Sequence, residues 1–224
     1  MLKIGLCAQG GRGVPNVDGL QVFEVRASNR NLPSAKVCRS WKESAPGDLI
    51  FLVNIPMEAF FPSGRKTAGG FLDSPAEVRK SWNKVIEIAG ELDADILTMS
   101  LPSMVTPTAA NRKKILWFLE EVVGERFKIV WEPCGLWSPE DVKNIAGDSN
   151  LVVGLNDIVD ETDVLESNWV FLRYKGLGRA SLSGDALYNL ADFCRGPWSG
   201  VCLLDMPHAT KCFKNLFSAI KEIE

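Results

Sequence analysis

The chain has 224 residues, 46% of them hydrophobic and 24% charged. That suits one large α/β domain or two small ones and is ample for a core. A formal net charge of −3 argues against long nucleic acid or an anionic membrane as a bulk electrostatic partner, and no apolar stretch approaches the roughly 20 residues that cross a bilayer.

The N-terminal run MLKIGLCAQGG reads as a first strand, near residues 3–8, and not as a signal peptide. Further strands are expected near residues 21–26, 49–55, 95–101, 127–132, 150–155, 169–174 and 199–204, each a short apolar run. No helix is expected between the first two strands, where residues 9–20 hold three glycines before Pro15. A second irregular stretch, 56–73, contains Pro56, Pro62 and Gly69-Gly70; long loops of this kind in compact domains are often functional.

Helical periodicity follows. In 74–92, Val78, Trp82, Val85, Ile86 and Ala89 share a face, and Ser74-Pro75-Ala76-Glu77 predicts a capping box with Pro at the first helical position. In 107–123 the expected stripe is Ile115, Leu116, Leu119, Val122 and Val123. Ser138-Pro139-Glu140-Asp141 opens another helix, and 208–222 buries Ala209, Cys212, Phe213, Leu216, Phe217 and Ile220. The β-α alternation predicts a single domain over residues 1–224, a slightly reduced (β/α)8 barrel of parallel strands with right-handed crossovers. An open doubly wound parallel sheet is the alternative.

The six cysteines include no C-x-x-C pair. Cys38, Cys194 and Cys212 fall at apolar helix positions, which predicts small hydrophobes in a reducing, cytoplasmic chain without a disulfide framework. With a single histidine, His208, a His-rich zinc site is not expected. His208 follows Pro207 and reads first as a helix-start or surface residue.

The strand-like runs end in polar side chains: Arg26, Asn54, Glu132, Asp157, Lys175 and Asp205. In a parallel barrel functional groups stand at the carboxyl ends of buried strands, so these residues mark the candidate site. Glu24 has apolar neighbours and needs a partner or a raised pKa if buried. Arg26, two residues on, shares its face and is the expected partner. Glu132, Asp157 and Asp205 each also suit a cap of the following loop or helix. Four strand-end carboxylates, Glu24, Glu132, Asp157 and Asp205, form the donor set of a hard-cation site for Mg²⁺ or Mn²⁺. No other cofactor is implied.

Arg173-Tyr174-Lys175-Gly176-Leu177-Gly178-Arg179 is the sharpest chemical signal. Arg173 and Lys175 alternate onto one face, the glycines let backbone N–H groups approach an anion, and Arg179 adds charge. The loops after strands seven and eight of such barrels frequently bind phosphate, although two glycines after a strand also mark an ordinary turn. Gly10-Gly11-Arg12-Gly13 offers a second anion contact without the P-loop Lys-Ser/Thr. Cys134 lacks a nearby base in sequence. Trp131 and Trp137 suggest an aromatic floor or plain packing.

The segment VFEVRASNRNLPSAKVCRSWKESAPGDLIFLVNIP resembles the second and third strands of the YecE-like family, domain of unknown function 72, through Glu24, Leu32, Pro33, Ser34, Trp41, Val53 and Pro56. FLRYKGLG resembles its Tyr-Val-Arg-Leu-His-Gly strand through Arg173 and Gly176, and VCLLDMPHATKCFKNL its last strand and helix. The likeness is good over residues 22–56 and loose elsewhere. It implies a barrel of the triosephosphate-isomerase type and no established activity. Arg26 stands in place of the family's Asn, Ser28-Asn29-Arg30 in place of Thr-Phe-Tyr, Asn54 in place of Lys, Ser100-Leu101-Pro102 in place of Gln-Leu-Pro and Lys175 in place of His, the pattern of a divergent, shortened member.

The function these residues predict is a barrel enzyme acting on a small anionic ligand, phosphorylated or carboxylated. Glu24 and Glu132 are the acid/base groups, and Arg26, Asn54, Asp157, Arg173, Arg179 and Asp205 the ligand contacts. Lys175 is a further catalytic candidate, as a Schiff-base lysine if burial lowers its pKa. The alternative is a non-catalytic ligand-binding or regulatory barrel. A common glycosidase barrel is disfavoured because strand four ends Met99-Ser100-Leu101-Pro102 and strand seven carries Arg173.

Overall fold

A computed structural model describes residues 1–8, 13–26, 32–64, 67–146, 151–156, 158, 169–176 and 182–222. Eight parallel strands form a closed barrel in sequence order: β1 Lys3–Cys7, β2 Val22–Val25, β3 Ile50–Asn54, β4 Ile96–Ser100, β5 Lys128–Glu132, β6 Leu151–Leu155, β7 Trp169–Tyr174 and β8 Ser199–Leu204. The expected (β/α)8 fold is therefore the observed one, and the open sheet is not. Each strand lies within two residues of its predicted span because the runs are continuously apolar, as strands covered on both faces must be.

The helices are α1 Ala35–Ser44, α2 Met57–Phe60, α3 Pro75–Leu92, α4 Ala109–Trp117, α5 Pro139–Ala146, α6 Asp185–Arg195 and α7 Ala209–Glu222. Among the described residues between β1 and β2 there is no helix, as the glycines there predict. No helix is long and apolar enough to cross a membrane among the described residues.

Residue contacts resolve two compact units. One comprises Met1–Glu24, Ala45–Ile50 and Gly154–Glu224; the other comprises Val25–Ser44 and Phe51–Val153. In the first, Arg173 pairs with Leu203, Leu203 with Gly5, and Cys7 with Glu24. Side chains alternate along a strand and line up across parallel neighbours. Cys7, Glu24 and Arg173 therefore face the same way. In the second, Asn54 pairs with Thr98 and Ser100 with Glu132, so these four share a face by the same logic.

Helix α3 buries Val78, Trp82, Val85, Ile88, Ala89 and Leu92. Ile88 takes the place expected for Ile86, which is half-buried. Trp82 meets Phe118 and Phe127 edge-on, with ring centroids 5.5 and 6.0 Å apart, so truncating it to Ala costs about 3–5 kcal/mol. Ser74 occupies the N-cap without a side-chain hydrogen bond, so the capping box expected there does not form. The one at Ser138 does. Its Oγ accepts from the Asp141 N–H at 3.1 Å, and Asp141 Oδ2 accepts from the Ser138 N–H at 3.0 Å.

The stripe expected in 107–123 is also corrected. Helix α4 passes into a π-helical turn over Phe118–Val123, and the buried positions are Asn111, Ile115, Phe118 and Val123, whereas Leu116 is 36% exposed. A π turn adds a residue per turn and rotates the apolar face, so a uniform period of 3.6 misplaces it. In α7 the expected residues are buried except Phe217, which is half-buried and stacks on Phe213 at 5.7 Å.

Candidate functional site

At the carboxyl ends of β1, β2, β7 and β8, within the first unit, a charged cluster is closed off from water. Glu24 is 0% and Arg173 1% exposed. Arg173 Nη1 donates to Glu24 Oε2 at 2.9 Å and Nη2 to Glu24 Oε1 at 2.6 Å. Nη1 also donates to Cys7 Sγ at 3.1 Å, and Asp205 Oδ2 lies 3.7 Å away. The guanidinium sits 5.5 Å from the centroid of the Phe171 ring, two residues earlier on the same face of β7.

This geometry corrects the expected pairing. The bidentate partner of Glu24 is Arg173, 149 residues away in sequence, and not Arg26, which is half-buried and belongs to the second unit. A planar guanidinium matches a carboxylate with two parallel bonds. Burying either charge alone costs several kcal/mol, which the pair recovers only through this full set of contacts.

Lys175 follows β7 and is exposed. Its Nζ donates to Asn156 Oδ1 at the end of β6, at 2.9 Å. Arg173 and Lys175 therefore do not form the joint anion-binding face that their spacing predicts: one is sealed on a carboxylate and the other is in solvent. The burial that a Schiff-base role requires of Lys175 is absent too. Gly176 then turns the chain with φ of 68°, and a Cβ there would stand 2.7 Å from Met206 Cε. Gly176 thus packs against Met206, the residue following Asp205. Asp157 and Arg179 lie outside the described residues, as do Gly10, Gly11 and Arg12 of the second expected anion loop.

The second unit holds its own polar row. Asn54 Nδ2 donates to Thr98 Oγ1 at 2.9 Å, and Thr98 is fully buried. Glu132 is 3% exposed at the end of β5, and Ser100, its register partner, is exposed. Trp131 and Trp137 pack against each other with centroids 4.9 Å apart, both buried, and Trp137 Nε1 donates to the Val105 carbonyl. This is the packing role and not an aromatic floor. Arg112 lies over the Trp137 ring at 5.5 Å and pairs with Asp141, tying α4, α5 and the loops after β4 and β5 together. The Asp141 carboxyl is held down at about 2, first by the Ser138 N–H and then by Arg112.

Cys134 is exposed, the other five cysteines are buried, and none of the six is in a disulfide. Burial, and then Glu91, push the Cys38 thiol up to about 11. The Cys202 thiol is raised well above its usual value by a hydrogen bond with Cys194 and by burial. Neither is a nucleophile. His208 stands at the start of α7 with φ of 59°, its carbonyl accepting from the N–H groups of Lys211 and Cys212, as its helix-start reading predicts. Among the described residues no three His, Cys, Asp or Glu side chains converge as a metal site.

Cys7, Thr98 and Asn156 belong to these polar sets and were not singled out from sequence. For Cys7 a signal existed: the alternation Gly5-Leu6-Cys7 places it on the same face as Gly5 at a strand end. Thr98 and Asn156 carry no distinguishing local pattern.

No family model matches the chain, and no curated protein matches it. Solved structures do. A DUF72 family protein from Thermotoga maritima matches at 13% identity over 100% of this chain and 98% of its own, with a TM-score of 0.65. The chain has the fold of DUF72 family proteins. This is the family whose motifs residues 22–56 resemble. The same barrel is shared with endonuclease IV from Thermus thermophilus, at 14% identity, 91% and 90% coverage and a TM-score of 0.59. It is shared too with 3-keto-D-glucoside 4-epimerase from E. coli, at 13% identity, 99% and 100% coverage and a TM-score of 0.60. These likenesses establish the fold, and function rests on the site.

Proposed function

We propose that the protein is a barrel enzyme that uses carboxylate acid/base chemistry on a small anionic molecule, phosphorylated or carboxylated. The buried Glu24–Arg173 pair is the observation that carries this reading. An ion pair inside a barrel, where apolar side chains of equal volume pack at least as stably, is costly to keep, and it supports Asp205 at 3.7 Å. In this reading Arg173 is the counter-charge of the buried Glu24, and the part-exposed Asp205 presents its carboxylate to the ligand. Lys175 contacts its anionic group. Asp157 and Arg179 are further ligand contacts in this reading, and Glu132, Arg26 and Asn54, which belong to the second unit, form a separate candidate set of acid/base group and ligand contacts there. The neighbouring folds include a sugar epimerase, a reaction class that moves protons at carbon. Six cysteines without a disulfide among them support a reducing, cytoplasmic setting.

The test works whatever the product is. Purified protein is incubated in D₂O with a panel of phosphorylated and carboxylated small molecules, and deuterium entry at carbon is followed by NMR. Exchange into at least one compound, abolished in Asp205→Asn, supports the reading. Ligand binding without exchange across the panel gives the second reading, a non-catalytic binding barrel. The bidentate hold of Glu24 on the buried Arg173 favours that second reading. Neither binding nor exchange refutes both.

A further inference from the structure

The charges around Arg173 divide this site into two parts. Nη1 carries two protons, and its acceptors among the described residues include Glu24 Oε2 at 2.9 Å and Cys7 Sγ at 3.1 Å. Nη2 makes the short bond to Glu24 Oε1 at 2.6 Å. An anion seated on this guanidinium has to displace Glu24 or stand beside the carboxylates of Glu24 and Asp205, and like charges at such range repel strongly. Lys175 is the opposite case. It is exposed, and one of its ammonium's three N–H donors goes to Asn156. Lys175 and Asp205 follow directly on paired residues of β7 and β8, Tyr174 and Leu204, with the Asp205 N–H donating to the Tyr174 carbonyl at 3.0 Å and Gly176 seated on Met206.

We infer that the ligand of this site binds in one orientation, with its phosphate or carboxylate on Lys175 and its hydroxyl-bearing part toward Asp205. Arg173 is then an internal counter-ion and not a ligand arm. This rests on the enzyme reading above and narrows its substrate class to hydroxylated small anions. A hydroxyl donates to a carboxylate, whereas a second anionic group at that place is repelled.

Two probes separate the parts: inorganic phosphate, and glycerol 3-phosphate, which adds hydroxyls to the same anion. Each is titrated by calorimetry into the wild type, Lys175→Met and Asp205→Asn. Both substitutions lie at exposed or part-exposed positions, and circular dichroism checks that each variant is folded. Lys175→Met is expected to weaken both probes roughly tenfold or more, the loss of one charge-assisted contact. Asp205→Asn is expected to bind phosphate at least as tightly as the wild type while glycerol 3-phosphate weakens. Phosphate affinity unchanged in Lys175→Met overturns the inference, as does glycerol 3-phosphate tightening in step with phosphate in Asp205→Asn. A wild type that takes up neither probe overturns it as well. The enzyme reading stands or falls separately, on deuterium exchange across the panel.

Discussion

Arg173 gives both terminal nitrogens to the carboxylate of Glu24, at 2.9 and 2.6 Å, with neither side chain reaching solvent. Glu24→Gln leaves a buried cation short of its counter-charge, and breaking one side of such a pair costs about 3–5 kcal/mol. The double variant Glu24→Leu, Arg173→Met removes both charges and is expected to be more stable than Glu24→Gln alone. Urea denaturation of the three proteins checks this. A double variant less stable than the single one would show that the pair adds net stability, contrary to the desolvation argument.

Asp141 supplies a pH signature. Its folded carboxyl lies at about 2 against an ordinary 3.8. A depressed carboxylate contributes stability that is fully present above the unfolded value and lost as pH falls through the folded one. The Asp141 contribution is therefore complete above roughly pH 4 and fades toward pH 2. Carboxyl ¹³C NMR is expected to show the low midpoint in the wild type and a higher one in Arg112→Met. A wild-type midpoint near 3.8 would contradict the capping-box geometry.

Gly200 has φ of 138°, and a Cβ there would lie 1.9 Å from the Val170 carbonyl oxygen of the paired strand. Neither the backbone angle nor the strand spacing accommodates a side chain. Gly200→Ala is expected to lose about 3 kcal/mol or more, from backbone strain and overpacking together. Gly90, on α3 with open space around its Cβ position, is the control. Gly90→Ala is expected to be stabilising by up to about 1 kcal/mol. Thermal melts that rank the two alike would refute the close approach.

Thiol accessibility follows from burial. Cys134 is exposed and the other five cysteines are not, so a native-state reaction with a thiol reagent near pH 8 is expected to show one fast thiol. Cys134→Ser should remove that phase and leave the slow ones. In denaturant all six should react. Two or more fast thiols in the native protein would mean that the helix cysteines are accessible, against the packing of Cys38, Cys194 and Cys212.

The barrel can be read from the amino-acid order alone. Strands buried on both faces leave continuous apolar runs, and a parallel strand must be followed by a crossover; both features are local and legible. The polar residues that close those runs, Glu132 and Asp205 among them, are legible for the same reason. Where 3.6-residue periodicity changed, at the π-helical turn from Phe118, local pattern failed at Leu116. Which charge meets which is settled only when the chain closes on itself. Glu24 and Arg26 are two residues apart and share a parity, which makes them the natural pair on paper. The closing of the barrel brings β7 within reach of β2, and a guanidinium 149 residues distant in sequence takes both carboxylate oxygens. Strand order and register create that meeting, and neither is written in the few residues around either charge.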